Sequence, residues 1–378
     1  LSALLANAIA IPSIGFIVVP LAISSSILLF ISTELATGLL TLTQYVLTVI
    51  WSILTWLSAI PMTQWFIALP SLWVFAAMGI GILLLLAPAG WPGRWLSALW
   101  LLPLIFLPKQ VPAHGQAWFT LLDVGQGLSV VVQTRHHVLV FDTGDKLSPQ
   151  LNAGDAVVLP FLREMGIKKL DSLVISHDHS DHIGGANALL EQLEVSKIYS
   201  TALKQLPEDR TIACQYGQQW QWDGVDFKFL YPFVDADKMK RNDSCVLKIS
   251  VGDKQLLLTG DIERAAEKAL VNTVADELSA DILVAPHHGS KTSSTPGFVA
   301  AVSAKTVLFP VGYLNRYNHP SPEVVQRYLD RGTMVYDSIR SGALHFILAE
   351  DDLKQPVQYR LERRRFWQQS QLPYDRRS

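Results

Sequence analysis

The spacing of apolar and polar residues divides the chain into two unlike parts. Residues 1–112 are dominated by long apolar runs at 9–32, 69–89 and 91–108. The first two match the ~20 residues that a helix needs to cross a bilayer. Segment 35–65 mixes Thr, Gln and Trp with its apolar residues, and could either span the bilayer or lie in its interface. The pattern predicts membrane-embedded α-helices.

The distribution of charged side chains supports this division. Before position 113 they are limited to Glu34, Arg94 and Lys109. So few charges do not keep a soluble domain in water, and a cleaved signal peptide is excluded because the apolar region is several times too long. Arg94 lies in the short turn 90–94, and the positive-inside tendency places the later domain on the outer side of the inner (cell) membrane. Because the chain opens in apolar sequence without Met, we expect further membrane segments upstream.

From position 117, after a linker at 108–116, short apolar runs alternate with turn residues, which is typical of β-strands. Strands are predicted at 118–122, 128–133, 137–141, 170–176, 197–200, 225–231, 245–251, 255–259, 281–285, 304–311, 333–336 and 343–348. Helices are predicted at 156–165, 186–193, 263–274 and 322–331. This order predicts an α/β domain of two packed sheets with helices outside. It would occupy 113–350, between the membrane part and a basic tail at 351–378.

Metal-ligating side chains are concentrated directly after the predicted strand 170–176. Three histidines and two aspartates form the candidate ligand stretch: His177, Asp178, His179, Asp181 and His182. On extended backbone the alternating His177 and His179 point to the same side. Asp181 and His182 follow on the turn and can reach a second point. The stretch therefore predicts two adjacent divalent metals, and histidine with carboxylate suits zinc or manganese.

Further ligands are expected at the ends of later strands. Asp261 follows the strand 255–259 and is the expected bridge between the two metals. His287 and His288 follow the strand 281–285, and His319 lies in a loop before a proline. A paired-metal site polarises a phosphoryl oxygen, lowers the pKa of a bound water and stabilises charge on the attacking and leaving oxygens.

These motifs resemble the metallo-β-lactamase superfamily and, more narrowly, the C-terminal domain of ComEC-type DNA-uptake proteins. The motifs are LDVGQG at 122–127, FDTG at 141–144, ISHDHSDHIGG at 175–185, PHHGS at 286–290 and NHPS at 318–321. The resemblance covers roughly 117–348 by motifs and the preceding part by architecture. It implies an αβ/βα sandwich with the metals at one edge between the sheets, preceded by the helices of a membrane channel.

The resemblance also implies a role for each ligand. His177 and His179 would hold one metal, Asp181 and His182 the other, and Asp261 would bridge them.

One residue of the pair His287 and His288 would complete the second metal. We favour His287 as the ligand and His288 as a phosphate contact, with the reverse assignment open. Asp142 would orient a ligand histidine. In catalysis, Asp181 would position the attacking water, while His288 or His319 would contact the phosphate or protonate the leaving oxygen.

The first metal departs from the family pattern. Most members supply it with a third histidine from the segment between His182 and Asp261, but no histidine occurs from 183 to 286. Asn242 or Asp243 could replace it through oxygen, which would favour manganese or weaker binding.

The resemblance implies a membrane-anchored, metal-dependent phosphodiesterase or nuclease that degrades the DNA strand that is not imported. Its expected partners are single-stranded DNA as substrate or product, the lipid bilayer, other DNA-uptake components and the rest of the channel upstream. Two alternatives stay open. The hydrolase-like domain could only bind or guide DNA, or the substrate could be another phosphodiester.

Two more features have alternative interpretations. Cys214 and Cys245 could pair in an outer compartment or remain two buried thiols. The tail from Arg360 onward interleaves arginines with aromatic residues, so it could contact nucleic acid or be a solvated terminus.

Overall fold

The computed structural model of the protein describes residues 2–60, 72–88, 90–104, 110–148, 151–233, 243–350, 352–353 and 355–363. The chain forms two compact units, Leu1–Ile67 and Ala68–Ser378. The domain boundaries expected at 112 and 350 remain predictions. Asn242 and most of the basic tail, beyond position 363, lie outside the described residues.

The first unit consists of long apolar helices. α1 (Ser2–Ser13), a π-helical turn at Ile14–Val18 and α2 (Val19–Leu28) run on from one another, and α3 (Thr33–Ala59) follows after a short turn. Two helical stretches, Leu5–Leu28 with 24 residues and α3 with 27, have the length and composition to cross a membrane. The segment from position 35 to 59, which the sequence left between two interpretations, thus belongs to a helix long enough to span.

α3 packs against α2 through one narrow stripe of side chains. Its buried residues recur every seven positions: Ala36, Thr43, Ile50 and Leu57. Ser25 of α2 donates a hydrogen bond to the carbonyl of Ala36 at 2.8 Å. Large apolar side chains such as Phe16, Phe30 and Trp51 are exposed. Small or polar residues such as Ser25, Ala36 and Thr43 in the contact, with an apolar exterior, are typical of helices that pack within lipid.

The second unit begins with two shorter apolar helices, α4 (Leu72–Leu85) and α5 (Leu96–Leu101), which pack against each other. The turn between them is held by Arg94, whose Nε donates to the carbonyl of Leu85 at 3.1 Å.

The rest of this unit is an α/β sandwich. Its strands are β1 (Gln116–Leu121), β2 (Val130–Gln133), β3 (Val138–Phe141), β4 (Lys146–Ser148), β5 (Leu151–Asn152), β6 (Lys169–Ile175), β7 (Glu194–Ser200), β8 (Thr211–Ala213), β9 (Gln219–Trp222), β10 (Val225–Tyr231), β11 (Val246–Val251), β12 (Lys254–Leu258), β13 (Ile282–Val284), β14 (Thr306–Phe309), β15 (Met334–Asp337), β16 (Leu344–Ala349), β17 (Asp352–Leu353) and β18 (Val357–Gln358). One sheet has the order β17-β16-β1-β2-β3-β6-β7-β8, with β18 also on β16. The other has the order β15-β14-β13-β12-β11-β10-β9, and β4 and β5 form a small hairpin.

The α-helices of this domain are α6 (Leu159–Glu164), α7 (Ser180–Ile183), α8 (Ala186–Gln192), α9 (Arg264–Val274), α10 (Pro296–Val302), α11 (Pro322–Leu329), α12 (Ser338–Ser341) and α13 (Tyr359–Glu362). α6 and α8 cover the outer face of the first sheet, and α9, α10 and α11 cover that of the second. Side chains alternate between two cores along each strand, because successive residues point to opposite faces. On β12, Leu256 and Leu258 lie in the core between the sheets, whereas Leu257 lies in the core beneath α9, α10 and α11. These layers confirm the predicted αβ/βα sandwich.

Candidate metal centre

The candidate ligands follow the carboxyl ends of strands from both sheets. β6 ends at Ile175, and extended backbone continues to His179 before α7 begins. β12 ends at Leu258, shortly before Asp261, and β13 leads into His287. Because these connections are short and mostly buried, the strand ends determine where the ligating side chains lie.

Two groups of ligand atoms form at this edge and share Asp261. The first ligand group is His177, His179 and Asp261, and the second ligand group is Asp181, His182, Asp261 and His288. Within each group the ligand atoms lie within 4.8 Å of one another. Asp261 Oδ2 lies 3.9 Å from Nε2 of His177, and Asp261 Oδ1 lies 3.1 Å from Nε2 of His182. A carboxylate shared in this way suits a pair of divalent metals.

The histidines of the second ligand group have defined tautomers. Nδ1 of His182 lies 2.7 Å from Asp142 Oδ2, and Nδ1 of His288 lies 2.8 Å from the carbonyl of Pro310. Both partners only accept, so each Nδ1 carries a proton, and the neutral form of each ring has its lone pair on Nε2. The two Nε2 atoms lie 3.2 Å apart, and that of His288 is 3.2 Å from Asp181 Oδ2. This convergence of possible ligand atoms fits a bound cation, which would take the place of a proton on Nε2.

The first ligand group is oriented through Ser176. Its hydroxyl donates to Asp142 Oδ2 at 2.7 Å, so it accepts from Nδ1 of His177 at 3.0 Å. Nε2 of His177 is buried and has no hydrogen-bond partner among the described residues. The rings of His177 and His179 lie 4.4 Å apart. A buried lone pair without a partner again fits a metal ligand.

Asp142 orients histidines of both ligand groups through hydrogen bonds to Ser176 and His182. It is fully buried, and its Oδ1 accepts the backbone N–H of Ser176 at 2.6 Å. Its φ of 58° is rare for a residue other than glycine and is held by this hydrogen bonding. One carboxylate therefore orients His182 directly and His177 through a serine, a support that histidine ligands of metals usually receive.

The electrostatics of the centre favour positive charge. Burial would raise the pKa of Asp261, but His182 and His288 outweigh it and hold that pKa well below its usual value. Burial would lower the pKa of His182, yet Asp261 and Asp142 raise it well above normal. Burial, together with the charge of His182, lowers the pKa of His177 to about 2. Without a metal, a proton on His182 supplies the charge that a cation would bring.

The backbone separates the two adjacent histidines. His287 and His288 both have left-handed φ angles, 50° and 55°, and their ring centroids lie 6.4 Å apart. His288 is buried and belongs to the second ligand group, whereas the side chain of His287 is 27% exposed, with Nε2 3.6 Å from Asp261 Oδ2. The geometry brings His288, rather than His287, to Asp181 and His182, so the assignment of the ligand within this pair remains a prediction.

His319 lies at the rim of the centre. Its ring is 6.0 Å from that of His287 and stacks on Tyr317 at 5.7 Å. Asn315 fixes its backbone, accepting from the N–H of His319 at 2.9 Å and donating to its carbonyl at 2.7 Å. Burial and the charges of His288 and His287 lower its pKa to about 4, so the imidazole is neutral at pH 7.

The structure adds contacts that the sequence interpretation missed. The N–H of Leu128 donates to the carbonyl of Asp181 at 3.1 Å, and a Cβ on Gly127 would lie 2.5 Å from that same oxygen. The glycines of the 123–127 turn were the available signal for this close approach. Asp243, a candidate oxygen ligand, accepts a hydrogen bond from Tyr231 at 2.8 Å and belongs to neither group.

Cys214 and Cys245 form a disulfide, which resolves the alternative that the sequence left open. The bond lies directly behind the ligand stretch, since the N–H of Cys245 donates to the carbonyl of Ser176 at 2.9 Å.

Fold and ligand set together define a sandwich domain with a divalent metal centre at one edge. Residues 122–309 match the family model of the metallo-beta-lactamase superfamily, and residues 1–92 match that of the competence proteins. The chain belongs to the ComEC-type family of competence proteins, in which these two regions are joined.

Curated relatives agree with this assignment. The chain is 35% identical over 351 residues to competence protein ComA of Neisseria gonorrhoeae, covering 93% of this chain and 48% of the relative. It is 31% identical to the uncharacterized protein YcaI of Escherichia coli strain K12, over 62% of this chain and 30% of that one. It is 30% identical to recombination protein 2 of Haemophilus influenzae, over 62% of this chain and 29% of that relative. The chain thus spans about half, or less, of the length of these relatives.

Proposed function

We propose that the chain is part of a membrane-embedded DNA-uptake protein whose metal centre hydrolyses phosphodiester bonds in DNA. The observation that carries this is the convergence of histidine lone pairs and carboxylates around Asp261, in a chain whose preceding helices match the competence-protein family. A centre for two metals, which can stabilise the charge that develops in phosphoryl transfer, fits a nuclease for the strand that is not imported when it occurs in the same chain as such helices.

The first ligand group would hold one divalent metal and the second ligand group the other, either zinc or manganese. Bound there, the pair would supply Lewis-acid polarisation of a phosphoryl oxygen and a bound water of lowered pKa.

Two side chains would act on the substrate directly. Asp181 is 24% exposed and contacts His288, and although burial would raise its pKa, this contact and His182 hold that pKa below its usual value. Its ionised carboxylate would accept a hydrogen bond from the attacking water and so position it. Neutral His319 would donate its N–H to a phosphate oxygen, and we assign it this contact rather than delivery of a proton to the leaving oxygen.

The domain would work outside the cytoplasm. Arg94 in the turn before α5 favours the inner side of the membrane, which directs the following chain outward. The disulfide supports this placement, because such bonds persist in oxidising compartments. The partners would be the inner membrane, DNA, other uptake components and the remaining channel helices.

A cleavage assay tests the proposal. The whole chain, purified in detergent and supplied with zinc or manganese, is expected to cut end-labelled DNA, and Asp181→Ala should lose most of that activity. No cleavage by either protein, or equal cleavage by both, would refute it.

A second function, binding and guiding DNA without cleavage, is favoured by the first ligand group, which contributes three ligand atoms among the described residues. Tight DNA binding by a metal-loaded but inactive wild-type chain would support that alternative. Cleavage of a small chromogenic phosphodiester that single-stranded DNA does not inhibit would instead indicate a different substrate.

A further inference from the structure

His287 belongs to neither ligand group, like His319 at the rim, but its Nε2 lies near the shared carboxylate. Its Nε2 lies 3.6 Å from Asp261 Oδ2, the same oxygen that faces Nε2 of His177 at 3.9 Å. Asp261 Oδ1 is instead nearest to His182 and His288, at 3.1 and 3.4 Å. The two oxygens of Asp261 thus divide the centre, and His287 lies on the side of the first ligand group.

The surroundings of His287 fix its tautomer. The hydroxyl of Thr292 donates to Glu263 Oε1 at 2.9 Å, so it accepts from Nδ1 of His287 at 3.2 Å. Glu263 Oε1 itself lies 3.3 Å from the same Nδ1. With the proton on Nδ1, the lone pair of Nε2 points toward Asp261. A carboxylate behind a histidine is the usual support of a metal ligand.

The backbone conformation at His287 serves the same arrangement. Two consecutive non-glycine residues in the left-handed region are costly, and such strain persists where the surroundings require it. Here it turns His287 and His288 to opposite oxygens of one carboxylate. The side chain of His287 is 27% exposed, so it is less tightly enclosed than that of His288.

We propose that His287 is the third nitrogen ligand of the first metal, in place of the histidine that the chain lacks between positions 183 and 286. Glu263 and Thr292 are its positioning residues. This inference rests on the metal centre of the proposed function and is independent of DNA as the substrate.

Metal binding by the whole 378-residue chain in detergent tests the assignment without any activity measurement. The metal-free protein is titrated with Co²⁺, followed by calorimetry and by the visible d–d absorption, and metal content is counted after dialysis. Wild type is expected to bind two ions. His287→Ala should keep the ion of the second ligand group after dialysis and bind the other ion only weakly during the titration, with a changed absorption.

Variants with different expected losses of metal affinity distinguish a metal ligand from a residue with a purely structural role. Loss of a group that supports a ligand typically costs about 10–100-fold in metal affinity. Glu263→Ala is expected within that range at the first metal, Glu263→Gln should restore part of it, and His287→Ala should reach or exceed its upper end. His319→Ala is the matched control at the same rim and should keep both affinities. Retention of the second ion in every variant shows that the domain is folded.

Two results would overturn the assignment. One is a His287→Ala chain that binds two ions with wild-type affinity and spectrum, which would make His287 a substrate contact. The other is a wild-type chain that binds a single ion. A wild type that binds two ions but cuts no DNA would refute the proposed function and leave the ligand assignment intact.

Discussion

The two ligand groups use the same kinds of side chain and differ in the residues that lie behind them. In the second group, His182 and His288 are almost fully buried, and each donates Nδ1 directly to a buried acceptor. In the first group, His177 is held through a serine hydroxyl, and His179 is partly exposed. We therefore expect the second metal to bind tightly and the first to exchange. The support behind the ligands and the larger number of ligands in the second group both favour this order.

Removing the shared ligand Asp261 should abolish the difference in metal affinity between the two ligand groups. Asp261→Ala takes one oxygen from each, and we expect loss of both metals and at least a ~1,000-fold drop in DNA cleavage, about 4 kcal/mol in the barrier. Elemental analysis and cleavage rates measure this. Asp178→Ala is the control, because Asp178 lies in the same stretch but in neither group. Similar losses in both variants would contradict the shared role of Asp261.

Breaking the disulfide should increase the difference in the rate of metal release between the two ligand groups. The bond closes a loop with a sequence separation of 31, for which loop entropy predicts about 3–4 kcal/mol of stability. Because Cys245 supports the backbone of Ser176, the double variant Cys214→Ala, Cys245→Ala should release the first metal sooner than the second. Denaturant unfolding and timed metal release measure the two effects. Unchanged stability, or simultaneous release, would count against this account.

Asp142→Asn should weaken both groups while keeping the side-chain size. An amide offers one acceptor oxygen where the carboxylate receives Ser176 and His182 on two, so we expect about 10–100-fold lower affinity at the second metal. The first metal, reached through Ser176, should lose less. Calorimetric titration of each site tests this, and wild-type affinity at the second metal would refute it.

Proton binding should distinguish the groups in the absence of metal. Burial alone would lower the pKa values of His182 and His288, but Asp261 and other carboxylates raise them. Such histidines stabilise the fold below ~6.5, the unfolded value, and this contribution is lost as pH rises through the folded pKa. His177, with a pKa of about 2, adds no pH dependence above 6.5.

The thermal midpoint of the metal-free chain should therefore fall as the pH rises above ~6.5. The metal-loaded chain should show no such fall, because the metal replaces the protons. Parallel melting curves with and without chelator make the comparison, and a rising metal-free midpoint would contradict it.

The sequence predicted the fold and the sources of the ligands because both depend on local patterns. Apolar runs buried on both faces mark strands such as β6 and β12, and ligands placed directly after them must lie at a sheet edge. The sequence could not predict which of His287 and His288 lies beside Asp181, because this depends on a left-handed backbone conformation that residue spacing does not specify. The role of Ser176 was equally hidden, because a serine that ends a strand has no distinctive pattern. Short, partly polar strands such as β8 and β9 were missed, since they bury few side chains.

The division of ligands between the two sheets has a consequence for the order of events during synthesis. The stretch from His177 to His182 leaves the ribosome first, whereas Asp261 and His288 follow much later, and β16, which pairs with β1, is made later still. The ligands from His177 to His182 therefore lack Asp261 and the strand β16 until nearly the whole domain has been translated. A nascent or truncated chain therefore holds the separate ligands of the centre but cannot assemble either complete ligand group.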